Sequence, residues 1–177
     1  MKILMITGSA HKNGTTAMLA SEFIKGAEEA GHEVYRFDAA FKNVHPCIAC
    51  EKCHNTDAGC VFQDDMNEVN TQLLAADAVV FVSPIYYYDI NAQVKAVIDR
   101  FYANDSALHG HKKAVLILAM ADDTMESADG AIVSFKGMTK FLDWEIAGTV
   151  VGVECADVDA LQKTDYPAQA YELGKNL

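Results

Sequence analysis

KILMITGSAHKNGTT, residues 2–16, sets an apolar run against a polar loop and then a helical start. Lys2 to Thr7 shows no polar alternation, which predicts a strand buried on both faces of a parallel sheet. The run stops at Gly8, and a helical stretch opens at Thr15 and continues to Ala30, closed by Gly31. The same alternation continues outward. His32 to Asp38, Ala78 to Val82, Ala114 to Met120 and Glu145 to Val153 read as further strands, the third cut off by Ser83-Pro84. Helical spacing covers Asn91 to Tyr102, with Val94, Ile98 and Phe101 on one face, and Ser127 to Leu142. A last helix runs from Pro167 to Leu177, with proline near its start. Asp65 and Glu68 have the spacing of a capping box opening a helix to Ala76. Alternating strands and helices predict an α/β fold with helices on both faces of a parallel sheet. Right-handed crossovers leave few topologies, and five strands favour the doubly wound order 2-1-3-4-5. Ligands of such sheets bind at the switch point, beyond the C-terminal ends of strands 1 and 3.

The chain has 177 residues and reads as a single domain, 1–177. That length buries roughly 70% of the unfolded surface, so no disulfide staples are needed. The net charge of −11, without a basic run, argues against a nucleic-acid partner. The first ten residues have too short an apolar core for a signal peptide. The longest apolar run, Ala114 to Ala121, is far below the roughly 20 residues of a membrane span. These features predict a soluble cytoplasmic protein, whose cysteines are reduced thiols or ligands.

The switch-point rule points to the loop Gly8 to Thr16. Backbone N–H groups at a helix start, with the helix dipole, suit an anion. Ser9, Thr15 and Thr16 add hydroxyl donors, and Lys12 adds charge. Thr15 follows Gly14 where a Walker A motif has lysine, and no Gly-x-Gly-x-x-Gly is present, which argues against triphosphate hydrolysis and a dinucleotide site. A terminal phosphate monoester is the natural guest; a plain glycine-bearing turn with a cap is the bland alternative. Ser83 to Asp89, SPIYYYD, follows strand 3 and should face this loop. Its tyrosines can pack on a flat heterocycle, or on a neighbouring helix or subunit. A phosphate loop opposite an aromatic loop suggests flavin mononucleotide.

At these residues the chain resembles the flavodoxin-like NADPH-dependent FMN reductases, in the branch that includes the iron–sulfur flavoproteins. Gly8-Ser9-Ala10-His11-Lys12-Asn13-Gly14-Thr15-Thr16 is similar to the family's phosphate loop. Ser83-Pro84-Ile85-Tyr86 and the segment Ala92 to Arg100 resemble its flavin-ring segment and following helix. Cys60 with Asp64-Asp65-Met66 matches its Cys-x3-Asp-Asp-Met pattern, and Tyr171-Glu172-Leu173-Gly174 its C-terminal helix. The resemblance implies FMN, NAD(P)H as electron donor, and homodimers or homotetramers with the flavin near a subunit interface. It implies that Ser9, Thr15 and Thr16 hold the phosphate with His11 and Lys12 beside it, and that Pro84, Ile85, Tyr86 and Tyr87 line the ring. Three positions depart from the pattern. His11 stands in place of arginine, so part of the phosphate's countercharge depends on a proton. Tyr88 replaces a glycine. Asp122-Asp123 replaces a glycine-rich loop after strand 4, and would repel a phosphate-bearing nicotinamide if it faced the cleft.

No Ser–His–Asp set is evident, and the adjacent Asp122 and Asp123 diverge on an extended loop. No catalytic side chain is therefore assigned; the hydride chemistry is the flavin's. His32, His45, His54, His109 and His111 are scattered and expected to be exposed, Trp144 to pack, and Cys155 to be a buried small residue. Cys47, Cys50, Cys53 and Cys60 are spaced Cys-x2-Cys-x2-Cys-x6-Cys. Four thiolates at short spacing suit one [4Fe-4S] cluster or one tetrahedral zinc, and a loop that binds no metal remains open beside them. The spacing is not the bacterial ferredoxin run but falls within the iron–sulfur flavoprotein pattern. Two functions follow as expectations: an NAD(P)H oxidoreductase reducing a small-molecule electron acceptor (quinone, nitro compound, free flavin or metal ion), or an electron carrier between FMN and a cluster. A flavodoxin-like partner protein without flavin is the third.

Overall fold

Side-chain alternation along the strands sorts the apolar residues onto two faces, and each face collects its own helices. The computed structural model describes residues 1–56 and 59–177. In chain order the first half comprises β1 (Lys2–Thr7), α1 (Thr15–Glu29), β2 (Glu33–Asp38), α2 (Lys52–Asn55), α3 (Met66–Ala75), β3 (Ala78–Tyr86) and β4 (Asp89–Ile90). The second half comprises α4 (Ala92–Asp99), α5 (Asp105–Leu108), β5 (Lys113–Ala119), α6 (Asp129–Leu142), β6 (Glu145–Gly152), α7 (Val158–Leu161) and α8 (Tyr166–Lys175). The parallel strands lie in the order β2-β1-β3-β5-β6, and the two-residue β4 pairs antiparallel with β3 off that path. This is the flavodoxin-like order expected, with β4 as the addition.

Leu4, Ile6, Val79, Phe81, Leu116 and Leu118 pack on one face against Val69, Leu73, Val97, Phe101 and Phe135. Ile3, Met5, Val80, Val82, Val115 and Ile117 pack on the other against Leu19, Phe23 and Ala170. The period of two thus builds two cores from one sheet. Trp144 is a packing residue as expected, with its indole N–H donating to the Leu108 carbonyl at 2.7 Å.

Two local expectations are corrected. β3 does not stop at Val82 but continues through Pro84, which pairs with Ala119, to Tyr86. The Val82 carbonyl faces β1, where it accepts from the Gly8 N–H at 3.0 Å. Pro84, two residues on, faces the same side, where β1 has ended, so its missing N–H loses no ladder bond. The capping box at Asp65 and Glu68 does not form. Asp65 has helical backbone angles (φ −63, ψ −7) and its carboxylate accepts from the Asn43 N–H, while Glu68 takes the Tyr35 hydroxyl and Lys42. Asp64 caps instead, accepting from the Met66 N–H at 3.1 Å.

Helices α1 and α8 cross glycine against glycine. A Cβ on Gly174 would stand 2.1 Å from the Phe23 carbonyl oxygen, and one on Gly26 2.1 Å from that of Tyr171. Only bare backbones fit at that separation. Gly174→Ala is expected to destabilise the fold by about 1–3 kcal/mol through overpacking, despite a helix-propensity gain of about 1 kcal/mol. Gly137 in α6 has nothing within 4 Å of a built Cβ, so Gly137→Ala should show that gain alone. Urea denaturation of the two variants checks the contrast; equal shifts would refute it.

Candidate functional site

The loops after β1, β5 and β6 meet the end of β3 at the C-terminal edge of the sheet and enclose an open cleft of 610 Å³. That volume lies within the range of about 300–1,000 Å³ typical of cofactor sites. One end is the loop Ser9 to Thr16, and Pro84, Ile85 and Tyr86 form a facing wall. Met120 and Ala121 after β5, with Cys155 and Asp157 after β6, complete it; of these, Met120, Cys155 and Asp157 were not singled out from the sequence as lining a ligand site. Cys155 is buried, as expected.

The loop's shape follows from its small residues. The Ser9 hydroxyl accepts from the His11 N–H at 3.1 Å, and the Gly14 N–H donates to the His11 carbonyl at 3.1 Å. Gly14 then caps α1 in extended conformation, with no side-chain cap bond and no acidic residue in the first turn. The first-turn N–H groups and the positive end of the dipole are therefore left for an anion. Thr16 is buried in that turn, and Ser9, Thr15, His11 and Lys12 surround it in the cleft lining.

Asn91 ties the two walls together. This buried side chain donates to the Gly8 carbonyl, the Asn91 backbone N–H donates to the Ser83 hydroxyl at 2.9 Å, and that hydroxyl donates to the Pro84 carbonyl at 2.7 Å. Gly8 can carry no side chain, because a Cβ would stand 2.0 Å from Asn91 Oδ1.

Beyond Tyr86 the chain reverses through Tyr87 and Tyr88, both left-handed (φ 49 and 67), to reach Asp89. This is the two-residue hairpin turn that normally takes Asn-Gly, and two tyrosines in it hold backbone strain. The turn carries Tyr87 fully into solvent, so of the four positions implied for the ring the cleft holds Pro84, Ile85 and Tyr86. Asp122 is turned to Ser127, whose hydroxyl donates to it at 2.7 Å, and to the Thr124 N–H; these bonds hold its carboxyl below the ordinary range. Neither Asp122 nor Asp123 lines the cleft.

A second cavity of 470 Å³ lies on the β2 side of the same loop, bordered by Lys12, Arg36 and Lys42. Two of these charges are answered internally, Arg36 by Asp38 and Lys42 by Glu68, while Lys12 lies over the Phe41 ring at 4.7 Å.

The four cysteines of the 47–60 stretch share one small cavity of 20 Å³, walled by Ile48, Val61, Phe62, Arg100 and Tyr102. Cys47 and Cys50 are exposed, Cys53 and Cys60 half-buried, and all are free thiols. Burial pushes the Cys53 thiol up, and Cys60, Cys50 and Cys47 push the same way against its own backbone hydrogen bond, so the four act on one another. Among the described residues no three of His, Cys, Asp and Glu gather closely enough to grip a single metal ion. The sulfurs ring a cavity instead of meeting at a point. Beneath them, Arg100 forms a fully buried ion pair with Asp64 at 2.9 Å and donates to the His45 carbonyl at 2.9 Å.

Residues 1–138 match the family described as NADPH-dependent FMN reductase. An iron–sulfur flavoprotein of Methanocaldococcus jannaschii is 33% identical over 100 residues, covering 56% of this chain and 51% of that one. The chain thus spans about half the length of that relative. An FMN-dependent NADH:quinone oxidoreductase of Pseudomonas putida is 32% identical over 137 residues, 66% of this chain and 68% of that one. A solved NAD(P)H:quinone oxidoreductase of Methanothermobacter marburgensis superposes with a TM-score of 0.72 at 16% identity, over 99% of this chain and 96% of that one. Among the described residues no helix is long and apolar enough to cross a membrane.

The Asp64–Arg100 pair sets an acid limit. Burial pushes the Asp64 carboxyl up, but Arg100 and the N–H groups of His45 and Met66 outweigh it and hold the group below its ordinary range. A carboxyl depressed in the folded state contributes stability above its unfolded value, about pH 4, and loses it as pH falls through the folded value. Asp64→Asn leaves Arg100 buried without its counterion and is expected to lose about 3–5 kcal/mol near neutrality. Urea midpoints measured against pH should show the two proteins converging below about pH 4; a gap that persists unchanged there would refute this.

Proposed function

Because the chain belongs to the NADPH-dependent FMN reductase family, we propose that it holds FMN in the 610 Å³ cleft and serves as an NAD(P)H-dependent flavin oxidoreductase for a small acceptor, such as a quinone. The observation that carries this reading is the uncapped start of α1 facing Tyr86 across the cleft. The helix start favours an anion at one end, and a flat apolar ring fits at the other. In this reading Ser9, Thr15 and Thr16 hold the phosphate with first-turn N–H groups. Lys12 and His11 supply countercharge, and Pro84, Ile85 and Tyr86 pack along the ring. FMN, when bound, would supply the hydride chemistry between the nicotinamide and the acceptor. The chain's own part is to bind, orient and exclude water. Residues 1–177 act as one FMN-binding domain. Tyr87 serves the partner copy of a homodimer or homotetramer instead of the ring, since it stands fully in solvent beside the cleft wall.

A second reading is favoured by the cysteine cavity. The donor set is four thiols, the wall is apolar, and among the described residues Arg100 Nε is buried with no hydrogen-bond partner. That combination fits a sulfur-rich anionic group held by Cys47, Cys50, Cys53 and Cys60, namely a [4Fe-4S] cluster. Zinc, which gathers four sulfurs on one ion, fits less well. A cluster held there would supply one-electron chemistry beside the flavin's.

The first reading is tested by NADH and NADPH oxidation in the FMN-loaded chain with quinone, nitroaromatic, ferric and free-flavin acceptors. Consumption with at least one is expected, and none with any would overturn it. Thr16→Val, which keeps the shape and removes the hydroxyl, should weaken FMN binding about ten- to hundredfold, the loss of a charged hydrogen bond of about 1.5–3 kcal/mol. Flavin fluorescence titration reads this, and unchanged affinity would remove Thr16 from the phosphate site.

A further inference from the structure

Arg100 is built into the inner wall of the cysteine cavity. Its side chain is 2% exposed, as is that of Asp64, and the two meet at 2.9 and 3.2 Å. Asp64 in turn accepts from the His45 N–H at 3.0 Å, and Arg100 donates to the His45 carbonyl. The guanidinium lies over the Phe62 ring at 5.3 Å, and Phe62 stacks on His45 at 4.8 Å. Both ends of the cysteine stretch, His45 before Cys47 and Phe62 to Asp64 after Cys60, are thus fastened to one cation. Asp64 and the His45 carbonyl occupy its two Nη groups. Among the described residues Nε has no partner, although a buried, unpaired donor of this kind is costly. Cys60 and Arg100 line the same small cavity.

A salt bridge serving only as a pin would satisfy all its donors. A donor left over beside four sulfurs is placed for a ligand that brings more negative charge than neutral thiols do. We propose that Arg100, held by Asp64, is the built-in countercharge of the four-cysteine site: with a cluster in the cavity its Nε–H donates to the Cys60 sulfur and raises the cluster's reduction potential. This rests on the cluster reading above. One-electron reduction adds one negative charge to the cluster, and a fixed cation in a dry wall favours the reduced form. The lysine alternative would keep the charge but lose the planar fork that lets one side chain serve Asp64, His45 and Cys60 together.

The test uses the full chain, reconstituted with iron and sulfide without oxygen, with iron content measured and the cluster followed by electron paramagnetic resonance during a redox titration. Circular dichroism confirms folding of each variant. Arg100→Gln is expected to lower the cluster midpoint by at least the equivalent of a tenfold change in the one-electron equilibrium, about 59 mV, while the flavin midpoint stays where it was. Arg100→Lys, the gentler change that decides the matter if the glutamine variant does not fold, should lower it by a smaller, measurable amount. Cluster midpoints equal to that of the unsubstituted chain would overturn the role of Arg100 and leave the cluster standing. An unsubstituted chain that takes up no iron would overturn the cluster and this role with it.

Discussion

The buried side chain of Asn91 fixes the two functional walls against each other. It donates to the Gly8 carbonyl at the end of β1, while the backbone N–H of the same residue donates to the Ser83 hydroxyl near the end of β3. These are the strands between which a doubly wound sheet opens its crevice. Without that tie the anion loop and the aromatic hairpin would be two loops with independent freedom. With it they are one site, and the close approach explains why position 8 must be glycine.

Asn91 is also the N-cap of α4, and Arg100 is its C-cap. At the rise of an α-helix, the two residues stand about 13 Å apart along a rigid rod. One end of the rod sets the flavin cleft and the other forms the wall of the cysteine cavity. The distance between the two candidate redox sites is therefore set by a single helix and not by a flexible segment. The strained Tyr87–Tyr88 turn lies on the same stretch of chain, between β3 and α4. Strain held at that place accords with a functional site.

Much of this was legible in the sequence, for physical reasons that can be named. KILMIT, AVVFV and AVLILAM read as buried strands because parallel strands covered on both faces show no polar alternation. The order of strands and the cleft position then followed from topology. Ser9 to Thr16 could be read because an anion loop is local: one strand end, small residues, one helix start. What failed to show was tertiary. Nothing in Tyr-Tyr announces a turn that requires positive φ. The end of β3 was misplaced because proline's missing N–H matters only on a side where another strand runs. Asp65 and Glu68 had capping-box spacing, yet Asn43, Tyr35 and Lys42 competed for their carboxylates. Arg100 and Asp64 lie 36 residues apart, and their pairing beneath the cysteines has no local signature. The cysteine spacing suggested a shared site; the cavity they line, and the spare guanidinium donor behind it, required the fold.

The central claim is that the start of α1 holds the phosphate of a flavin whose ring lies against Pro84, Ile85 and Tyr86. Titration of the flavin-free chain with FMN and with riboflavin, followed by flavin fluorescence, tests it most directly, because the two ligands differ only in the phosphate. Saturation at one FMN per chain and far weaker binding of riboflavin are expected. Equal affinity for the two, or binding of neither, would contradict it.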